Sequence, residues 1–339
     1  MRLRVDPWQP NYGASAETEA DLAPPVGLQL DVEVSGPWSP IPAPKPAELP
    51  CCAFIDGVRR IEVQLFAEER DTVAPGIAGS WAVGCAWSTR PPKVAAITVG
   101  RELIVGAGLL SAAIEVHVGG RPLVFRRQSV PGVAPLDPLR GLQNVMRKAE
   151  AELARATLEG TQADLVVSDG PLDYFLPGPA VGMVKRQSRS YLDVSRAPVL
   201  AQMQPGERTP IFKLGEQRLE RYSWYLRLSQ PRTIDGQMAG MIRLEVAASG
   251  GLDKAKELAD VAGSVLPRFA SQPGHDPRAP QNVYPVGALE AVLRRRLGDS
   301  GLIRRNFEAL LSTDPGGASH TMRDGSSWHR PHDDRGARR

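Results

Sequence analysis

Two Asp-Gly pairs stand where apolar runs meet polar chain. Ala53-Phe54-Ile55-Asp56-Gly57 brings an apolar stretch to a carboxylate, and Leu165-Val166-Val167-Ser168-Asp169-Gly170 does so again downstream. A carboxylate at the end of a buried strand is costly unless it is paired, exposed or bound to a cation. The glycine behind it admits close approach of backbone or substrate. Singly, each pair reads as a hairpin turn, since Asp-Gly is the strongest short hairpin signal. On neighbouring strands of one sheet, however, the two carboxylates would share a hard divalent ion, Mn²⁺ or Mg²⁺. Two such ions about 4 Å apart suit in-line phosphodiester cleavage.

A third acid must come from between them. Residues 137–159 read as a helix, with Asp137 as N-cap, Pro138 at the first helical position and Gly160 after the end. Leu142, Met146, Ala149, Leu153 and Ala156 form its apolar stripe. Glu150 and Glu152 lie on opposite shoulders of that stripe, each about 80° from its centre. Either could reach the sheet end, and either could equally be a solvated helix charge; Glu62 and Glu115, on strands, are weaker alternatives. Lys185 ends the run Val181-Gly182-Met183-Val184 and, with Arg186 and Arg189 after it, could meet a phosphate. Tyr284 precedes Pro285 and is therefore expected to be extended, its hydroxyl turned to a cleft. The helix beyond carries Arg294-Arg295-Arg296, followed by Arg304-Arg305, a basic surface for a phosphate backbone, an acidic partner or plain water. Arg243 and Glu245 alternate on one strand face and read as an ion pair or a groove lining. Trp224, Tyr225 and Arg227 on a neighbouring strand read as core or as a base-stacking platform.

These residues need a scaffold, and the composition supplies one. The chain has 339 residues, 42% apolar and 23% charged, which suits a globular protein with ample core. A net charge of +3 gives no whole-molecule field of the kind that marks a general nucleic-acid binder, although a local basic surface remains open. Cys51, Cys52 and Cys85 form no CxxC pair, which excludes a thiolate zinc site and a disulfide framework and fits buried free thiols. No apolar run reaches the ~18 residues that cross a bilayer, and residues 1–7 lack a signal-peptide core. The expected location is the cytoplasm.

Residues 1–50 form a proline-rich arm, with Pro24, Pro25, Pro37, Pro40, Pro42, Pro44 and Pro46, expected to wrap the fold and end as an edge strand. The alternation over 28–34 predicts one short strand inside it. Residues 51–130 read as β-rich: strands over 52–56 (extending toward 65), 79–87, 94–99, 103–110, 114–118 and 122–126. After the helix come strands over 164–168, 222–228 and 241–246, and helices over 252–269, 285–297 and 302–311. Residues 313–339, which include His320, His329 and His332, read as a disordered tail. An antiparallel run, a helix and then a parallel strand is the RNase H-like arrangement of a mixed α/β sheet flanked by helices. In it, acids from the first strand, the first helix and the fourth strand converge.

Taken in order, Ile55-Asp56-Gly57, a helix bearing Glu, Val167-Ser168-Asp169-Gly170-Pro171-Leu172, Val184-Lys185, Tyr225-Leu226-Arg227-Leu228, Ile242-Arg243-Leu244-Glu245 and Tyr284-Pro285 resemble the NurA nucleases over about residues 50–300. Val5-Asp6-Pro7-Trp8 and Tyr12-Gly13 resemble the actinobacterial branch. The resemblance implies an RNase H-like, Piwi-related nuclease domain over 51–312. It also implies Mn²⁺-dependent DNA cleavage as a 5′–3′ exonuclease or single-strand endonuclease, and a homodimer. The implied partner is a hexameric HerA-type ATPase, in DNA end resection and repair or in phage defence. Asp56 and Asp169 match the family's metal aspartates, Glu150 or Glu152 its helix glutamate, and Tyr284 its late active-site tyrosine. The archaeal pattern sets a histidine on the helix after that tyrosine, whereas residues 287–297 hold none, with Val292 and Arg294 in the region. Two rival readings follow: a catalytically impaired dimeric adaptor for a HerA-type motor, and a phosphohydrolase of small molecules.

Overall fold

The computed structural model describes residues 2–5, 27–160, 163–172, 176, 178–185, 191–215, 220–232, 235–236, 238–272 and 281–313. Asp6 to Trp8, Tyr12-Gly13, Pro24-Pro25, Arg186, Arg189, the three late histidines and the expected tail beyond Thr313 lie outside them.

The chain first lays down seven strands: β1 (Arg2–Val5), β2 (Ile41–Pro42), β3 (Cys52–Glu69), β4 (Thr72–Trp87), β5 (Lys93–Val105), β6 (Ile114–Val118) and β7 (Arg121–Ser129). Then come α1 (Asp137–Glu159), β8 (Leu165–Asp169), β9 (Ala180–Val184), α2 (Val199–Gln202), β10 (Glu207–Arg208), β11 (Phe212–Leu214), β12 (Arg221–Arg227) and β13 (Met241–Ala247). Helices α3 (Leu252–Val265), α4 (Tyr284–Arg296) and α5 (Ser300–Thr313) follow. The strands join one large mixed sheet in the order β2-β10-β12-β13-β9-β8-β3-β4-β5-β7-β6, with β1 on β3 and β11 on β12.

Helices pack on both faces of the sheet, and the two-residue side-chain period of a strand sorts the core accordingly. Ala53 and Ile55 of β3 and Val166 of β8 pack with Ala154 of α1, and Ile61 packs with Leu142 and Met146 of the same helix. Phe54, Val58, Leu165 and Val167 point the other way. They meet Ala255, Leu258 and Ala262 of α3 and Val286, Leu289 and Leu293 of α4. The apolar positions of each helix recur at helical spacing, so each presents one stripe to the sheet.

Several expectations shift. Asp56-Gly57 is neither a turn nor a strand end: β3 continues to Glu69, paired with β4 from Ala53↔Trp87 to Glu69↔Thr72. A strand glycine that admits a close neighbour looks, in sequence, like a turn. The strands expected over 94–99 and 103–110 are one element, β5, because β4 pairs along its whole length. The expected strand over 28–34 is absent. Gln29 makes a single bridge to Lys213, and Leu28, Leu30 and Val34 instead pack around Trp38 and Phe212. The N-cap of α1 is Leu136, with Asp137 one position inside; its carboxylate accepts the Ala134 amide at 2.9 Å. Helix α3 ends at Val265, and Pro267, which has no amide proton to donate, sits in a following 3-10 turn over Leu266–Phe269.

The proline-rich segment is anchored into the sheet. Glu33 accepts Arg208 through both its oxygens (2.8 and 3.0 Å) and takes the Ile211 amide. Although burial opposes its charge, Arg208 and that amide hold the Glu33 carboxyl below the usual range. Beyond Glu33, β2 forms the terminal strand beside β10.

Candidate metal centre

A fork in the sheet creates the site. β8 runs parallel to β3 as far as Ile55↔Ser168 and ends one residue later at Asp169. β3 runs on, and β1 joins this side only at Val5↔Leu65. Between the two contacts, from Asp56 to Gln64, this edge of β3 has no strand partner among the described residues. Asp56 and Asp169 are thus side by side where the strands part.

Alternation decides the face. Phe54 and Val58, Leu165 and Val167, and Val181 and Met183 all point toward α3 and α4. Asp56, Asp169 and Lys185 share their parity and so face the same helices. From α4 comes Glu290, buried like Val286, Leu289 and Leu293 on the same stripe. Asp56, Asp169 and Glu290 each offer a carboxylate oxygen, all within 4.8 Å of one another.

The electrostatics of the cluster are uneven. Asp56 is only 5% exposed. Its Oδ1 accepts the Gly57 amide at 2.8 Å, and its Oδ2 is buried without a hydrogen-bond partner among the described residues. Burial first, then the Asp169 carboxylate, pushes Asp56 well above the usual carboxylate range; Lys185 opposes this, while Glu150 and Glu290 add to it. Lys185 Nζ lies 2.7 Å from Asp169 Oδ2 and donates to the buried Asn282 Oδ1 at 2.8 Å. Glu290 is also 3.6 Å from exposed Arg294, one turn along α4.

Glu150 approaches from the opposite face. A Cβ at Gly57 would overlap the Glu150 carboxylate and come within 2.9 Å of Met146 Cγ. The bare glycine therefore lets α1 deliver this acid to the fork across the strand that carries Asp56. Glu152 is exposed and stands 4.0 Å from Lys148 along the helix surface. The two glutamates left open by the sequence are placed differently: Glu150 lies against Gly57, outside the three-carboxylate cluster, and Glu152 faces water. Tyr284 is the first residue of α4 rather than part of an extended segment, its phenol oxygen accepts the Gln272 amide at 3.2 Å, and the ring is 42% exposed.

The remaining alternatives have structural roles. Glu62 is buried against Arg60, and Glu115 is exposed beside His117. Trp224 and Tyr225 are fully buried and serve as core, not as a stacking platform. Arg243 and Glu245 form a buried ion pair. Glu290 was missed by sequence reasoning, which looked for a histidine on this helix. Its signal was available: Val286, Leu289, Leu293 and Leu297 mark the buried stripe, and Glu290 is the one charged residue in register with them.

The donor set is all oxygen, which suits a hard divalent ion. A buried carboxylate oxygen with no proton donor, among further carboxylates, is the arrangement that a cation would relieve. The residues present therefore fit Mn²⁺ or Mg²⁺.

A family model described as the NurA domain matches residues 93–292, more than half of the chain. Asp56 precedes that match, and its place at the site rests on the geometry of the fork. A search of curated proteins finds no match. Among solved structures, the NurA nuclease from Sulfolobus solfataricus aligns at 12% identity over 82% of this chain and 88% of that chain, with a TM-score of 0.47.

Proposed function

The chain belongs to the NurA domain family, and from that premise we propose that it is a metal-dependent DNA nuclease. The observation that carries this reading is the meeting of Asp56, Asp169 and Glu290 at the fork, with the buried Asp56 Oδ2 lacking a hydrogen-bond donor among the described residues. Asp56, Asp169 and Glu290 would hold Mn²⁺ or Mg²⁺, with Glu150 reaching in across Gly57. When bound, such an ion supplies an activated water and charge stabilisation at the leaving oxygen of a phosphodiester.

The side chains around the cluster have separable tasks. Among the described residues Lys185 gives ammonium donors to Asp169 and Asn282, and a further one would meet a phosphate oxygen. Tyr284 accepts the Gln272 amide, so its own O–H remains a donor toward substrate or water. Exposed Arg294, Arg295 and Arg296 at the end of α4 offer sequence-independent contacts to a phosphate backbone. This division of labour favours an enzyme over an adaptor with a broken site, because carboxylates from two strands and from α4 meet at the fork.

The order β5-β4-β3-β8-β9, with β3 antiparallel to β4 and parallel to β8, supports an RNase H-like, Piwi-related reading of the nuclease domain (51–312), with an arm and a tail outside it. The family resemblance carries the remaining proposals. These are cytoplasmic DNA end resection and repair as a 5′–3′ exonuclease or single-strand endonuclease, as a homodimer working with a HerA-type hexameric ATPase.

The test is digestion of linear single-stranded DNA, duplex DNA and a panel of nucleotides, side by side, with Mn²⁺ or with chelator. DNA alone should be cut, and only with the metal. Hydrolysis confined to small nucleotides, or no Mn²⁺ binding by calorimetry at micromolar affinity, overturns the proposal.

A further inference from the structure

Asp169 ends its strand, paired with Met183 of β9 but one residue past the last contact of β8 with β3. Upstream, Val166 to Ser168 lie between β3 and β9. Downstream, Gly170 takes φ 100° and donates its amide to the Met183 carbonyl at 2.9 Å. The chain then folds back across the face of β9. A Cβ at Gly182 would stand 3.0 Å from the Leu172 amide nitrogen and 3.1 Å from the Gly170 carbonyl oxygen, so a bare glycine lets residues 170–172 lie flat on the strand.

What grips this segment comes from two strands further into the sheet. The Leu172 amide donates to Glu245 Oε2 at 3.0 Å, and the Leu172 carbonyl accepts from Arg221 Nη1 at 3.3 Å. The same Arg221 nitrogen is 3.0 Å from the same Glu245 oxygen. Arg243 pairs with the other Glu245 oxygen, donates to Ser223 Oγ at 3.3 Å and lies 4.6 Å over the Tyr191 ring. All three charges are buried, Glu245 at 1% exposure. Burying ions is expensive even when they are paired, and packed apolar residues often do as well for stability alone. Here one ion pair satisfies both the amide and the carbonyl of a single loop residue, three positions after Asp169.

We propose that Glu245 and Arg221 are positioning residues that aim the Asp169 carboxylate, acting through residues 170–172; this rests on the reading of Asp169 as a metal ligand. The two residues touch neither metal nor DNA. They hold the turn that follows a carboxylate flanked by β9 but no longer by β3, in the way that outer hydrogen bonds orient metal ligands elsewhere.

The full-length protein tests this with two variants that act by different means. Gly182→Ala pushes on residues 170–172 without touching any charge, and Glu245→Gln keeps an acceptor for the Leu172 amide. Mn²⁺ affinity by calorimetry and thermal stability are read for each. Gly182→Ala should weaken Mn²⁺ binding by about 10–100-fold, and Glu245→Gln, which leaves Arg221 and Arg243 buried without their carboxylate, should lower thermal stability more than Mn²⁺ affinity. In an Asp169→Asn background the Gly182→Ala penalty should vanish, because the route to the metal has been cut. The inference is overturned if Gly182→Ala lowers stability yet binds Mn²⁺ like wild type, or if its penalty persists without the Asp169 charge. A wild-type protein that binds no Mn²⁺ removes the metal-site reading itself and this inference with it; normal wild-type binding with an unchanged Gly182→Ala removes the positioning role alone.

Discussion

Asp56 and Asp169 occupy neighbouring strands at the same fork, yet they are held by opposite means. Asp56 is mid-strand: β4 pairs with its backbone through Gly84, and the ladder continues on both sides. Its carboxylate is buried, with one oxygen satisfied only by the next amide. Asp169 is the last residue of its strand and half-buried, its charge met by Lys185. The ladder holds one position from both sides along the strand; the other, at a strand end, has Lys185 on one of its oxygens and a turn after it. A cation at the fork would therefore matter most to Asp56, whose carboxyl is pushed up first by burial and then by Asp169.

That asymmetry can be broken experimentally. Asp56→Ala should abolish Mn²⁺-dependent DNA cleavage, a larger loss than the roughly 10–100-fold expected for outer positioning residues, while circular dichroism stays native; undiminished cleavage would show that the unrelieved carboxylate is not at the centre of the chemistry. Glu290→Gln should come next, weakening Mn²⁺ binding by at least about tenfold. If calorimetry finds it equal to wild type, α4 supplies no ligand and only the strand acids remain.

A smaller effect concerns pH. A folded Asp56 pKa raised above its unfolded value of about 3.9 means that the folded chain keeps a proton the unfolded chain has released. This contribution to stability is complete below the unfolded pKa and is lost as pH rises through the raised folded one. Metal-free protein should therefore melt at lower temperature on going from mild acid toward neutrality. Asp56→Asn should flatten that slope and raise the neutral-pH Tm in chelator, even as it removes activity; an unchanged Tm–pH profile would mean the carboxyl is not strained by its neighbours. Smallest of all, Glu152→Gln should leave Mn²⁺ affinity unaltered and shift stability by no more than about 0.5 kcal/mol, separating it cleanly from Glu150.

Much of this geometry could be read from periodicity. The bounds of α1 follow from its apolar stripe and Gly160, and the strand expected over 164–168 lies one residue before β8, which takes in Asp169. What failed was any inference that needed to know which partner lies alongside. Gly57 reads as a turn until α1 is seen crossing it, since a glycine admits a neighbour as readily as it bends a chain. Glu150 and Glu152 are equivalent on a bare helix, and only the strand beneath separates them. Glu290 hid because attention went to a residue type, histidine, rather than to the charged member of a buried stripe. The alternation over 28–34 looked like a strand, but only Gln29 bridges to β11, at Lys213, while Leu28, Leu30 and Val34 pack around Trp38 and Phe212.

The anchoring of Glu33 has a consequence for the order in which the protein can assemble during synthesis. Its partners lie far along the chain, Arg208 at a separation of 175 residues and Ile211 at 178. Until they leave the ribosome, Glu33 stays hydrated and the proline-rich segment has nowhere to dock, and closing so long a loop is slow. The β3–β4–β5 meander and α1 need only near neighbours and can form first. Glu290 emerges later still, after the arm has a place to lie. On a growing chain, the last carboxylate to reach the fork is the one on α4, so the nascent protein holds two strand acids and Glu150 before it holds a complete cluster.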